Sequence, residues 1–356
     1  MTELIVLQAD QGDGFILHIE KEGRDFYMVV DGGPKVKCEL RGKLKQIEEE
    51  GKKIDVVVIT HHHDDHNKSV IKWLSSDGRD LSEMKLFVNL PDLIRLEREN
   101  PEIAYIDSIN FSKLIKRIES EKNIRIDCRN HVVAGKKPIL DCEFLTMWAL
   151  APSEENIKEY LAFLDKDQKE KIGEDERHVL LADEVEADDE KENEYKLEEL
   201  WRDDHVEKQV VNDSSIALLI KTCDDKWILL SGDASVETMT EGLKALQDEV
   251  PVPIKLDLFK LPHHGSKHNI SNDFLQLIDC ENFLITTNGK HCHPHRETIA
   301  KLIFNPSRNK DKEITLMFNY PLKEIMKRNK KLVFDKEGMY EEYKVKVEEN
   351  KKLINF

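Results

Sequence analysis

The sequence predicts an α/β layered protein, and three observations carry that expectation. Short apolar strands are interleaved with helical spacing along the chain. Some of these strands, Ile54 to Ile59 above all, are apolar enough to be buried on both faces. At 356 residues the chain is long enough for a substantial core, as one large domain or two ordinary ones.

The elements follow in order. Strands are expected at Leu4 to Gln8, Phe15 to Ile19 and Phe26 to Val30, separated by the turn formers Gly12, Asp13, Gly14 and Gly23. Cys38 to Glu50 has helical spacing through Leu40, Leu44 and Ile47. After the strand Ile54 to Ile59 and a polar loop, Val70, Trp73 and Leu74 mark a short helix beginning beyond His66 and stopping at Asp77-Gly78. Further strands are expected at Lys85 to Val88, His131 to Ala134, Phe144 to Ala149, Ser215 to Lys221, Trp227 to Leu230, Leu256 to Leu261 and Phe283 to Thr287. No internal repeat has a fixed period.

Charge divides the chain unevenly. The net charge is −17, yet Ser153 to Lys208 alone holds 22 acidic and 9 basic residues. This segment reads as an acidic insertion with helical stretches at Ile157 to Leu164 and Tyr195 to Trp201, and its run Asp183 to Glu194 is too charged to form a core. A solvated excursion is its simplest reading; docking a basic protein partner, or closing as a lid, are the functional ones. Residues 306–356 read as a short C-terminal extension packed on the main domain, residues 1–305, with Lys327, Arg328, Lys330 and Lys331 as a solvated basic cluster. No apolar run approaches the roughly 18 residues a membrane span needs, and Met1-Thr2-Glu3-Leu4 lacks the basic start of a secretory signal. The six cysteines form no CxxC pair. A cytoplasmic location without membrane association is expected.

The chemistry is concentrated where strands end. His61-His62-His63-Asp64-Asp65-His66 follows the apolar strand directly, and crowding titratable groups there is costly unless they bind something. In an extended backbone His61, His63 and Asp65 project to one side, with His66 following, while His62 and Asp64 point away. Three imidazoles and a carboxylate around one point suit zinc, manganese or iron. Trp227 to Leu230 runs into Ser231-Gly232-Asp233, and Leu256 to Leu261 into Pro262-His263-His264-Gly265-Ser266. Three separate strands thus end on candidate ligands.

At these residues the sequence resembles the metallo-β-lactamase superfamily, whose fold is an αββα sandwich with the metal site at one edge. The resemblance is closer to the branch that includes the hydrolase domain of bacterial DNA-uptake competence channels. It rests on Gln11-Gly12-Asp13, Val30-Asp31-Gly32-Gly33, the signature His61 to His66, Asn212 to Ser215, Ser231-Gly232-Asp233, Pro262 to Ser266 and His293-Pro294. It implies that His61, His63, Asp65 and His66 are metal ligands, Asp233 the bridging carboxylate and His263 a ligand of a second ion. His264 and His293 would stand beside the reacting group. Two departures are visible: Asn67-Lys68-Ser69 replaces the usual glycines, and His131, His178 and His205 all lack the context of the histidine that many members place between signature and bridging aspartate. The expected cofactor is therefore one or two divalent ions, zinc or manganese.

An ion in such a site acidifies bound water and polarises the oxygen under attack, so hydrolysis through metal-bound hydroxide is expected. Asp65 would orient the nucleophile, and His264 or His293 would protonate the leaving group. Ser266, Lys267 and His268 are candidates for holding an anionic substrate. The resemblance favours phosphodiesterase or nuclease activity on nucleic acid or a nucleotide. The acidic balance disfavours long duplex DNA and favours a short or single-stranded substrate. The alternatives are hydrolysis of an ester, lactone or thioester, and a partner-binding subunit that retains the metal site.

Overall fold

The computed structural model describes residues 1–34, 39–76, 81–89, 115–117, 119–120, 127–129, 131–171, 197–202, 206, 208–332 and 339–356. The first half begins with β1 (Thr2–Val6), β2 (Gly14–Lys21) and β3 (Arg24–Asp31), followed by α1 (Glu39–Glu49), β4 (Val56–Val58) and α2 (Asp64–Leu74). It continues with β5 (Lys85–Phe87), β6 (Asp127–Arg129), β7 (Leu140–Asp141), β8 (Leu145–Ala151) and α3 (Glu154–Lys171). The second half contains β9 (Ala217–Thr222), β10 (Trp227–Leu230), α4 (Val236–Ala245), β11 (Ile254–Leu256), β12 (Leu258–Lys260) and β13 (Ile278–Cys280). It ends with β14 (Asn282–Ile285), α5 (Arg296–Phe304), β15 (Ile314–Phe318), β16 (Val345–Glu348) and β17 (Leu353–Asn355).

Period-two alternation along these strands sorts the side chains into layers. In β4, Val56 and Val58 enter a core shared with Leu218, Leu230 and Leu258 of the opposite sheet. Val57, between them, turns the other way and packs with Leu40 and Leu44 of α1 and Val70 and Trp73 of α2. β10 repeats the pattern: Ile228 and Leu230 face the inter-sheet core, while Leu229 meets Met239 and Leu243 of α4 and Ile299 of α5. The result is helices, sheet, sheet, helices. One sheet has the order β17-β1-β2-β3-β4-β5-β6, the other β16-β15-β14-β12-β10-β9-β8-β7, and β11 pairs with β13 separately. Each fully buried aliphatic side chain in these cores contributes about 1.5–3 kcal/mol.

Several expectations are corrected. His131 to Ala134 is not a strand: the Asn89 side chain takes both the N–H and the C=O of Val132, at 2.6 and 2.8 Å, leaving nothing for a ladder. Leu256 to Leu261 divides into β11 and β12, which belong to different sheets, with Asp257 at the break accepting a hydrogen bond from the Trp227 N–H. The helix after the histidine signature begins at Asp64 rather than beyond His66, because Asp64 and Asp65 suit the positive end of a helix. It ends at Leu74, and the expected stop at Asp77-Gly78 lies outside the described residues. The acidic segment opens with a packed helix: Ile157 and Leu161 of α3 are buried with Val133 against them. His178, His205 and the run Asp183 to Glu194 lie outside the described residues. Residues 306–356 supply strands to both sheets, β15 and β16 to one and β17 to the other. Among the described residues no helix is long and apolar enough to cross a membrane.

Strands β3 to β6 are parallel, and so are β10, β12, β14, β15 and β16. Parallel strands release their following loops at one edge of a sheet. The Ile216 N–H donates to the Thr60 carbonyl at 3.0 Å, which joins the loop after β4 to the segment before β9 and brings the two edges together.

Candidate metal centre

Asp233 stands at the middle of this shared edge and is fully buried. Gly232 turns the chain after β10 with φ +51°, and a Cβ there would lie 2.5 Å from the Ser215 hydroxyl. The same hydroxyl accepts a hydrogen bond from the Asp233 N–H at 3.1 Å. Asp233 Oδ2 then faces three imidazole nitrogens: His66 Nε2 at 3.3 Å, His264 Nε2 at 3.8 Å and His61 Nε2 at 4.0 Å.

Each imidazole is fixed from behind. Asp31, at the end of β3, accepts from the Thr60 N–H and hydroxyl and from His66 Nδ1 at 2.9 Å, so the His66 Nε2 edge turns to Asp233. Thr60 Oγ1, having given its proton to Asp31, accepts from His61 Nδ1 at 3.1 Å. His264 Nδ1 donates to the Thr286 carbonyl at 2.8 Å. The loop carrying His263 and His264 is bent hard: both residues, and Gly265 after them, have positive φ, at 45°, 55° and 89°. Two histidines in left-handed backbone conformations are costly and mark a site whose geometry is imposed by its surroundings.

The arrangement fits a divalent cation. His61, His66 and Asp233 offer ligand atoms within 4.8 Å of one another, as do Asp65, His66 and His264. Donors at bond lengths of about 2.0–2.2 Å from a tetrahedral centre stand about 3.4 Å apart, close to the separations seen around Asp233 Oδ2. Both Asp233 carboxylate oxygens and the Nε2 atoms of His66 and His264 are buried without a hydrogen bond, an expensive condition that a cation would relieve.

The electrostatics agree. Burial alone would push the His66 imidazole down, but the carboxylates of Asp233 and Asp65 together outweigh it and hold it well above the usual range. Burial would raise the Asp233 carboxyl, but His66, His264 and His263 hold it well below. His61 is pushed well down by burial and by the neighbouring His66 and His63, and burial brings His264 down to about 3.

Residues 11–76, from the loop before β2 to the end of α2, match the Metallo-beta-lactamase superfamily. Together with the four layers and the ligand-bearing edge, this decides the architecture. The fold is the metallo-β-lactamase sandwich. Over 113 residues the chain is 29% identical to ComE operon protein 3 of Bacillus subtilis (strain 168), a match that spans 31% of this chain and 14% of that protein. Among solved structures, YhfI from Bacillus subtilis, a metallo-β-lactamase fold protein, aligns at 10% identity and TM-score 0.39, covering 99% of this chain and 98% of that one. Human tRNase Z, short form, aligns at 10% identity and TM-score 0.37, covering 79% of this chain and 90% of that one.

Within the metallo-β-lactamase sandwich the remaining candidates are placed as follows. His63 Nδ1 lies 3.0 Å from His61 Nε2. Asp65 is buried in the first turn of α2, where its carbonyl presses on Gly12; a Cβ on that glycine would come within 1.8 Å of the oxygen. His62 turns away to the Asn89 carbonyl at 2.7 Å, and Asp64 faces outward to Lys68. His263 contacts Asn269 Oδ1 at 3.2 Å, and its ring lies 5.0 Å from that of His293, which stacks 6.2 Å from His264. Ser266 is fully buried and its hydroxyl accepts from the His268 N–H, capping a short turn. Lys267 extends towards Glu297 at 3.9 Å, and the His268 ring lies 6.3 Å from His295.

Three residues of the site escaped the list of candidates. Asp13 and Asp31 stand in the quoted motifs, yet only the structure shows Asp31 on His66 and Asp13 accepting from the Thr286 hydroxyl at 2.6 Å. Lys260 is fully buried at the end of β12; it pairs with Asp13 and donates to the Gly232 carbonyl at 2.9 Å. A lone lysine in the otherwise apolar run Leu258-Phe259-Lys260-Leu261 was the available signal.

Proposed function

We propose that this protein is a metal-dependent hydrolase acting on phosphodiesters, as a nuclease or phosphodiesterase for short or single-stranded nucleic acid or for a nucleotide. The observation that carries the reading is the convergence on Asp233 Oδ2, just after β10, of three imidazoles: His61 from the loop after β4, His66 from α2 and His264 from the loop after β12. His61, His66 and Asp233 would hold the cation, with His63, Asp65 and His263 close around them. A bound divalent ion supplies Lewis acidity to the bond being broken and to the water that breaks it.

The chain's own residues account for the rest. Asp31 holds His66 in the tautomer and orientation a ligand needs. Asp65, buried against the cluster, orients the attacking water. His293, whose ring stacks 6.2 Å from that of His264, is the group placed to return a proton to the departing oxygen. The choice of a phosphodiester is supported by the ordered motifs from Gln11 to Pro294, through which the sequence resembles the hydrolase domain of DNA-uptake competence channels. The net charge of −17 favours a small substrate over a long duplex.

The test is a substrate panel with added manganese or zinc, comparing bis-p-nitrophenyl phosphate and short single-stranded oligonucleotides with p-nitrophenyl esters. Wild type is expected to cleave the phosphodiesters, and Asp233→Ala to lose nearly all of that activity. Cleavage of esters alone would overturn the reading.

A further inference from the structure

We infer that this site takes a single divalent ion and that the Lys260 ammonium supplies the second positive charge beside Asp233. The inference rests on the metal-centre reading above and specifies its stoichiometry. Two observations carry it.

The first is that the donor sets overlap. Among the described residues, each group of three ligand atoms close enough to share an ion, His61–His66–Asp233, Asp65–His66–His264 and Asp13–Asp31–His66, includes His66. The other ring nitrogen of His66 is committed to Asp31 at 2.9 Å. One imidazole edge serves one cation, so the first two sets are alternative descriptions of one position, while the third gathers at the Nδ1 edge that Asp31 already occupies.

The second is the neighbour of Asp233 on its other side. While Oδ2 faces the imidazoles, Oδ1 faces Lys260 Nζ at 3.8 Å. That ammonium is fully buried, donates to the Gly232 carbonyl at 2.9 Å and pairs with Asp13. Asp13 is itself held by the Thr286 hydroxyl and approached by His264 Nδ1 at 3.6 Å. A buried charge persists only when paired, and Lys260 is paired to carboxylates that a second metal ion would otherwise need. A second divalent cation would have to displace an ammonium that is already in contact with them. Among the described residues, the one histidine between the signature and Asp233, His131, pairs with Glu154 at 2.9 Å.

The experiment is metal stoichiometry by native mass spectrometry of the full chain at saturating manganese, checked by elemental analysis. Wild type is expected to hold one ion per chain and His66→Ala none. Two ions in wild type, or one retained by His66→Ala, would overturn the inference while leaving the metal-centre reading intact. No ion in wild type would overturn both. Lys260→Met, shown to be folded by circular dichroism, is expected to gain a second, weaker equivalent through the released Asp13 and Asp233 oxygens. A folded Lys260→Met protein that still holds one ion would refute the assigned role of the ammonium.

Discussion

Asp31 shows how much of the site depends on residues behind the candidate ligands. Its carboxylate gathers the Thr60 N–H, the Thr60 hydroxyl and His66 Nδ1, so one side chain sets both the loop after β4 and the aim of His66. Replacing Asp31 with alanine is expected to weaken metal binding by about 10–100-fold, the usual cost of losing a group that orients a ligand. Competition with a chelating dye measures this, and unchanged affinity would deny Asp31 that role. Asp213 gives a separate, metal-independent prediction. It is buried, and desolvation, reinforced by Glu237, pushes its carboxyl up to about 7. Because the folded state then binds this proton more tightly than the unfolded state, the carboxyl opposes folding increasingly as pH rises from about 4 to about 7, and uniformly above that. Asp213→Asn should therefore be more stable than wild type at about pH 8, by roughly 2–4 kcal/mol, with the gap closing towards about pH 4. Urea unfolding at both ends of that range checks the sign; a gap independent of pH would contradict it.

At the scale of elements, strand ends place the chemistry and strand interiors set their register. Leu230, immediately before the Ser231-Gly232-Asp233 turn, lies in the inter-sheet core, so Leu230→Ala should cost about 2–5 kcal/mol in denaturant unfolding. Gly12 tests the contact between the first loop and α2. With the Asp65 carbonyl 1.8 Å from where a Cβ would stand, Gly12→Ala must push the helix start away, and metal affinity should fall by at least about tenfold. Much of this organisation was legible beforehand. Trp227 to Leu230 was read to the residue, the strands around Phe15 and Phe26 lie within their observed bounds, and Lys85 to Val88 runs one residue past its strand, because alternation and two-sided apolarity report burial directly. His131 to Ala134 misled because the Asn89 side chain, distant in sequence, takes the backbone groups a strand would need. The histidine signature was read as extended, whereas Asp65 and His66 stand in the first turn of α2 and are aimed by helical geometry. The lone lysine in Leu258-Phe259-Lys260-Leu261 was a visible signal, but the partners of Lys260 and Asp31 were not legible, since they depend on which strand ends meet across the sandwich.

The whole molecule joins these pieces through its termini and its acidic segment. Strand β17 pairs with β1, so the last described residues close the sheet that carries the histidine signature. The acidic segment begins with α3, where Tyr160 is buried and its ring stacks 6.2 Å from His62 and Asn156 accepts from the Thr238 hydroxyl. Deleting residues 154–207 should therefore lower the urea midpoint of unfolding, an outcome that a purely solvated excursion would not produce. The central claim is that distant strand ends share a cation. The measurement that tests it most directly is an anomalous-difference map from crystals grown with manganese. The account predicts a peak about 2.0–2.3 Å from His61 Nε2, His66 Nε2 and an Asp233 carboxylate oxygen; no peak there under saturating manganese, or a peak held by other residues, would contradict it.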